Sequence, residues 1–194
     1  AQCLTEGAKA FGWKEARARV PAAGHLKRGV GVAGGTWVAG NGGPPATVIV
    51  KLYADGSAHL NMGASDIGCG TKTWGAQIVA EELGVPIDRI SIEHADTATT
   101  QFATGSGGSK TVPTEAPAIR AAALDVKRQL LEMAAEHLKV PADDLQLVGA
   151  EVVSKSDASK KSALGRIPAF WRRQLIVGIG YRGPNPEGKS VTPF

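Results

Sequence analysis

The chain has 194 residues, enough for one good-sized domain or two small ones, and its formal charge is +4. Its basic residues are scattered and only 5% of residues are aromatic, which argues against a nucleic-acid-binding protein. No apolar run approaches the length of a membrane span, and two cysteines are too few for a disulfide framework or a zinc cluster. The 25 glycines exceed the usual share of about 7% and indicate sharp turns or close backbone approaches.

Residues 1–12 carry apolar side chains at helical spacing and predict a short amphipathic helix. The basic stretch 15–27 predicts a linker, and a glycine-broken strand is expected over 29–38. Residues 29–34 match G-x-G-x-x-G, but a dinucleotide site needs a strand before this motif and a helix at its third glycine. Neither is predicted here, so we interpret these glycines as part of a closely packed strand.

Two β-branched, apolar runs, Thr47–Tyr53 and His59–Met62, flank the turn dipeptide Asp55-Gly56 and predict a hairpin. Helical spacing of apolar residues follows over 73–83, and Gly84 is placed to cap that helix.

A half-buried strand is expected over 90–94, and a polar loop then runs to residue 111. The longest helix is predicted over 114–139, with Pro113 and Pro117 before it or in its first turn, because a proline deeper in a helix costs about 3 kcal/mol. Further strands are expected within the two segments 145–153 and 174–182. Strands and helices do not alternate strictly, which favours an α+β fold with a mixed sheet layered against two main helices.

Two glycine-rich loops precede the two predicted helices. In the first, GASDIGCGT over 63–71, Gly68 and Gly70 flank one side chain, and Thr71 or Thr73 can cap the helix. Unpaired amides at a helix start attract anions, although a plain strand-to-helix turn explains this loop equally well.

The second loop, TGSGGSKT over 104–111, is able to form an anion-binding nest of successive amides, with hydroxyls from Ser106, Ser109 and Thr111. It is not a Walker A loop, because Ser109 stands where that motif needs a glycine. A surface loop is the alternative. If both helices pack on one sheet face, both loops open at the same edge and a single extended polyanion could contact them.

The other polar side chains indicate little chemistry. The four histidines have no metal-ligand spacing, and no Ser/His/Asp set can be assembled. Cys69 lies near a helix start, where the pKa of a thiol can be depressed, but we interpret it first as a small packing residue.

At these loops the sequence becomes recognisable. Four segments in order, DIGCGT from Asp66, QIVAEELGVP from Gln77, the pair Asp96-Thr97, and GSGGS from Gly105, resemble the large subunit of bacterial molybdenum hydroxylases of the xanthine dehydrogenase/aldehyde oxidase family. The resemblance covers about residues 28–182. It divides the chain into an N-terminal helix and linker, 1–27, and a truncated cofactor-binding α+β domain, 28–194.

The resemblance implies a molybdopterin cofactor, usually in its cytosine dinucleotide form, with molybdenum. It also implies iron–sulfur and FAD groups on partner subunits, the remainder of the molybdenum subunit as a partner, and oxidation of aldehydes or N-heterocycles with oxygen from water. By position, it implies a cofactor-binding set of eight residues: Gly68, Cys69, Gly70, Thr71, Ser106, Gly107, Gly108 and Ser109.

The sequence departs from the family at two points. The family usually has glutamine where this chain has Cys69, and a thiol cannot reproduce the donor and acceptor of an amide. The glutamate that serves the family as active-site base lies beyond Phe194, so we expect no catalytic residue here and a fragment inactive alone. A non-catalytic binding module on the same fold is the alternative.

Overall fold

The structure is a computed structural model that describes residues 2–19, 24–25, 27–35 and 45–183. The contacts divide the chain into two compact units, Ala1–Trp37 and Val38–Phe194. Each unit is described by itself. In the described part of the chain, no helix is long and apolar enough to cross a membrane.

The first unit contains α1 (Gln2–Phe11), which confirms the predicted N-terminal helix, and α2 (Trp13–Ala18). The linker predicted over 15–27 is therefore wrong for residues 15–18, which belong to α2. Within α2 the Arg17 guanidinium lies 5.8 Å from the centre of the Trp13 ring, and this cation–π contact stabilises the helical turn that joins the two residues. The strand expected over 29–38 is wrong for residues 29–35, which are exposed and have no regular structure. Residues 36–38 lie outside the described ranges. The G-x-G-x-x-G match falls in this irregular segment.

The second unit is built on a four-stranded sheet. Its strands, in spatial order, are β3 (Ile90–His94), β2 (Ala58–Met62), β1 (Ala46–Tyr53) and β7 (Leu175–Arg182). The predicted hairpin is confirmed, since β1 and β2 pair antiparallel across the turn at Gly56, and β2 pairs parallel with β3. The sheet is therefore mixed and the fold is α+β, as expected.

Helix α3 (Thr71–Leu83) connects β2 to β3 and begins two residues before the predicted start. Gly84 ends it in the left-handed conformation, with φ of 63°, which confirms the predicted cap. Because β2 and β3 are parallel, α3 runs back along the sheet and begins at the edge where β2 ends.

Helix α4 spans Thr111–Leu138, and Pro117 lies inside it rather than before it or in its first turn, so that placement of Pro117 was wrong. The ring removes the hydrogen bond that would reach the Pro113 carbonyl. Packing explains why the helix continues, since the residues immediately after Pro117 are fully buried against the sheet and α3: Ala118, Ile119, Ala122 and Ala123.

The segment 145–153 is a hairpin and not one strand. Gly149, with φ of 58°, turns the chain between β4 (Leu145–Val148) and β5 (Glu151–Ser154). β6 (Lys161–Ala163) completes a second, three-stranded sheet, and a short helix, α5 (Pro168–Arg173), leads into β7. The strand expected in 174–182 is confirmed as β7. Sequence periodicity misses α5 because six residues are too few to establish a helical repeat.

The closest approach between the layers is that of α4 to β7. A Cβ atom on Gly180 would lie 1.8 Å from the Ala118 carbonyl oxygen, and one on Gly178 would lie 2.2 Å from the Ala122 carbonyl oxygen. The helix backbone therefore rests directly on the strand backbone, and small residues on both elements make that contact possible.

Replacing Gly180 with alanine should force α4 away from the sheet. Overpacking of a core typically costs about 1–3 kcal/mol, and we expect the free energy of unfolding, measured in urea, to fall by that amount or more. The matched control is Gly105→Ala, because no atom lies within 4 Å of the added methyl group there. Equal unfolding midpoints for Gly180→Ala and the unsubstituted chain would contradict the packing described above.

Candidate functional site

Both glycine-rich loops lie at one edge of the four-stranded sheet. β2 and β3 end there, α3 begins there, and β7 ends there because Arg182 pairs with Ala46, the first residue of β1. Helix α4 begins there as well: Ala122 packs on Gly178, and Ala118, one turn nearer its start, packs on Gly180, closer to the end of β7. We call this the loop edge.

In the first loop the Asp66 carboxylate accepts hydrogen bonds from the backbone amides. Oδ1 of Asp66 accepts hydrogen bonds from the backbone N–H groups of Gly68 at 2.9 Å and of Gly70 at 3.1 Å. These bonds, that of Gly68 foremost, lower the pKa of Asp66. The hydroxyl cap expected from Thr71 or Thr73 is wrong, since the residue before the helix is Gly70 in the left-handed conformation and its amide donates to the Asp66 carboxylate, not to a threonine hydroxyl.

The Thr71 hydroxyl is buried and points back into the loop. It donates to the Ser65 carbonyl oxygen at 3.3 Å, and its oxygen lies 3.2 Å from Sγ of Cys69. This contact with Thr71, followed by the backbone near Ile67, lowers the pKa of the Cys69 thiol. The lowered pKa therefore comes foremost from a hydroxyl contact, whereas the helix start was the cause expected from the sequence. The interpretation of Cys69 as a packing residue is wrong, because its side chain is exposed.

A single carbonyl group joins the two loops. The Ser106 hydroxyl of the second loop donates to the Ser65 oxygen at 3.2 Å, the same oxygen that accepts from Thr71. The sequence expectation that the loops converge is therefore correct for Thr71 and Ser106. Contact of the eight predicted residues with a cofactor stays a prediction.

The second loop presents backbone amides that are open. Gly108 and Ser109 are both left-handed, with φ of 60° and 55°, and such a conformation is unusual for serine. Among the described residues, no group accepts a hydrogen bond from the amides of residues 105–109. The first loop is neutralised internally by Asp66, so the second loop is the better anion cradle.

The connection between β3 and the second loop crosses the first loop at Gly63. A Cβ atom there would lie 1.9 Å from the Gln101 carbonyl oxygen. Nearby, Asn61 donates to the Glu93 carboxylate at 2.6 Å and to the Thr99 carbonyl at 3.2 Å. The Thr99 hydroxyl also donates to Glu93 and, as the largest cause, lowers the pKa of that carboxyl. These bonds fix the end of β2 to the loop that follows β3.

Buried polar atoms without partners gather at the loop edge. Within the described ranges six buried side-chain atoms have no hydrogen-bond partner. All six belong to residues at the end of β2 or β7, in the loop after β3, or near the start of α3 or α4. In that order they are Asn61 Oδ1, Arg182 Nη1, Gln101 Oε1, Trp74 Nε1, Thr114 Oγ1 and Glu115 Oε2. Buried polar groups are usually satisfied, so this concentration marks the loop edge as the candidate binding site. Sequence reasoning missed all six residues, because burial of a single polar atom leaves no periodic signal.

Metal ligands are not grouped in this way. No three histidine, cysteine, aspartate or glutamate side chains lie together as a metal site in the described part of the chain. The unpartnered groups at the edge are a hydroxyl, two side-chain amides, an indole, a guanidinium and a carboxyl group. Such a mixed set suits a polar organic ligand better than a bare ion.

Comparison with known proteins decides the family. The model of the molybdopterin cofactor-binding domain matches residues 6–189. The chain belongs to the molybdopterin cofactor-binding domain family. The match includes both glycine-rich loops and extends into the segment before residue 28.

Curated relatives of this molybdopterin-binding domain are molybdenum-enzyme subunits. The xanthine dehydrogenase molybdenum-binding subunit of Escherichia coli is 36% identical over 159 residues, covering 78% of this chain and 21% of that protein. The carbon monoxide dehydrogenase large chain of Hydrogenophaga pseudoflava is 34% identical over 118 residues, covering 61% and 15%. The chain thus spans about a fifth or less of the length of these relatives.

A solved structure has the same fold. Carbon monoxide dehydrogenase from Oligotropha carboxidovorans superposes with a TM-score of 0.67 at 25% identity, over 77% of this chain and 20% of that one. Quinoline 2-oxidoreductase from Pseudomonas putida superposes with a TM-score of 0.64 over 72% of this chain, and at 20% identity it supports the fold alone.

The Asp66 cap predicts a pH-dependent contribution to stability. Because its folded pKa lies below the ordinary value, the ionised carboxylate stabilises the fold at neutral pH, and this contribution is lost as the pH falls through the folded pKa. Asp66→Asn keeps an acceptor but loses the charge, so its urea midpoint should lie below that of the unsubstituted chain at about pH 7 and approach it at about pH 3. Asp88→Asn is the control. A difference that is constant with pH would contradict the charged cap.

Proposed function

We propose that this chain holds one side of a molybdopterin dinucleotide, through the second loop and the unpartnered polar atoms of the loop edge. The family match supports the cofactor, and the six unpartnered atoms together with the open amides of residues 105–109 support the place. The observation that carries the proposal is the joining of both loops at the Ser65 carbonyl, because one ligand can contact both only if they lie together.

Different residues of the loop edge would bind different parts of the ligand. The amides of Gly107, Gly108 and Ser109 would take phosphate oxygens, since successive N–H groups favour negative charge. The side chains of Gln101 and Thr114 would take polar atoms of the heterocycle, because each keeps a buried atom free of internal partners. Gly68 and Gly70 would shape the first loop rather than donate, since Asp66 accepts from both of their amides.

In the whole protein we propose a hydroxylase that oxidises aldehydes or N-heterocycles with oxygen from water. The bound molybdenum cofactor supplies the two-electron oxidation, and the protein supplies binding and orientation. Iron–sulfur and flavin groups on partner subunits would receive the electrons. The cytosine dinucleotide form of the cofactor and these partners rest on the family resemblance.

The proposal is tested on the full protein purified with its partners. Molybdenum and phosphorus are measured per chain, and the pterin is extracted and its nucleotide identified. We expect molybdenum, pterin and a cytosine nucleotide together. A fully assembled complex without molybdenum or pterin would overturn the proposal and favour a non-catalytic binding module.

Removing the Ser106 hydroxyl should loosen the junction of the loops. Ser106→Ala loses the bond to the Ser65 carbonyl, and a lost hydrogen bond of about 1–1.5 kcal/mol corresponds to about five- to tenfold faster loss of pterin during gel filtration. The control is Ser159→Ala, whose hydroxyl bonds to Asp157 between β5 and β6. Equal pterin retention in both variants would contradict this role of Ser106.

A further inference from the structure

Glu115 is a buried acid for which no described residue supplies a hydrogen bond or ion pair. It lies in α4 with 2% of its surface exposed, on the same face as the buried Ile119 and Ala122 and one turn nearer the loop edge. Its Oε2 atom is buried without a hydrogen bond, as is the hydroxyl of the adjacent Thr114. An isolated carboxylate in such a place is strongly disfavoured, because nothing replaces the water it has lost.

No neighbouring charge compensates for this burial. The loop edge carries several charged and titratable groups: Lys110 before α4, Lys72 on α3, Arg182 on β7, Asp66 and Cys69 in the first loop, and Glu93 and His94 on β3. Within the described ranges none of them forms an ion pair or hydrogen bond with Glu115. On α3, Glu82 is paired instead with Arg120 of α4, at 2.6 Å.

Desolvation is accordingly the cause that raises the pKa of Glu115 to about 7. A carboxyl group with that pKa is largely protonated in mildly acidic solution. In its neutral form it has one O–H donor, which glutamate normally lacks. Because α4 begins at Thr111, directly after the second loop, Glu115 places a potential donor near the start of that helix, at the end where the bound ligand is expected.

We propose that Glu115 is a positioning residue of the cofactor cradle, whose neutral carboxyl group donates a hydrogen bond to an uncharged acceptor, a carbonyl oxygen or ring nitrogen, of the bound heterocycle. This inference rests on the proposed function. It separates two tasks at the loop edge: the second loop binds phosphate through amides, and Glu115 orients the ring through one directed bond. Ionisation removes the donor and places a negative charge beside an acceptor, so retention of the ligand weakens as the pH rises.

The test is retention of molybdopterin by the full protein during gel filtration from about pH 5.5 to about pH 8.5. The unsubstituted protein should release pterin about tenfold faster above the pKa of Glu115 than below it. Glu115→Gln keeps a neutral donor at every pH, so its release should stay slow and independent of pH. Glu115→Ala should release quickly throughout, and Glu136→Gln, an exposed acid later in α4, should behave as the unsubstituted protein does.

Infrared spectroscopy supplies a second measurement. The loaded protein should show the C=O stretch of a protonated carboxyl group below about pH 7, and Glu115→Gln should remove it. Urea unfolding of each variant separates a role in folding from one in binding, since a buried acid with a raised pKa lowers the stability of the fold as pH increases.

The outcomes separate the two proposals. Pterin-loaded protein in which Glu115→Ala and Glu115→Gln release pterin as the unsubstituted protein does would overturn this inference alone. The same holds if pH changes unfolding but not retention. Assembled protein that never contains pterin overturns the proposed function, and this inference with it.

Discussion

The direct contact of α4 with β7 is the constraint on which the rest of the second unit depends. The Ala118 and Ala122 backbone lies against Gly180 and Gly178, too close for any side chain between them. This contact fixes both the height and the direction of the longest helix on the sheet. It therefore determines where α4 begins, and so where the second loop and the buried Glu115 lie relative to the ends of the strands.

The loop edge follows from that placement and from one parallel strand pair. Because β2 and β3 run in the same direction, the loops that follow them leave at a common edge. The Ser65 carbonyl then joins the loops by accepting from both Thr71 and Ser106. Asn61 at the end of β2 separately donates to Glu93 on β3 and to the Thr99 carbonyl in the loop that follows β3. These polar bonds hold the loop edge, where six buried side-chain atoms of the described residues have no hydrogen-bond partner.

Sequence patterns predicted the elements that repeat and missed the features that depend on single contacts. The hairpin around Gly56, the cap at Gly84 and the convergence of the loops were predictable, since alternation, helical periodicity and glycine-rich starts are local signals. The interior position of Pro117 was not, because it depends on the packing of the residues that follow. The glycines at 178 and 180 do carry a signal for close approach, but the helix residues that they contact, Ala122 and Ala118, lie more than 50 residues away in the sequence. The capture of loop amides by Asp66 was missed because Asx bonding depends on the loop conformation.

The Asp66 carboxylate has a consequence for ligand selection. It is an intramolecular competitor, present at the high effective concentration that tethering produces, for the same N–H groups that an external anion would seek. A phosphate arriving at the first loop must displace a charge already in place, whereas one arriving at the second loop displaces only water. The loop edge is therefore electrostatically asymmetric, and an elongated ligand with charge at one end and a neutral ring at the other would bind in one orientation and be rejected in the reverse.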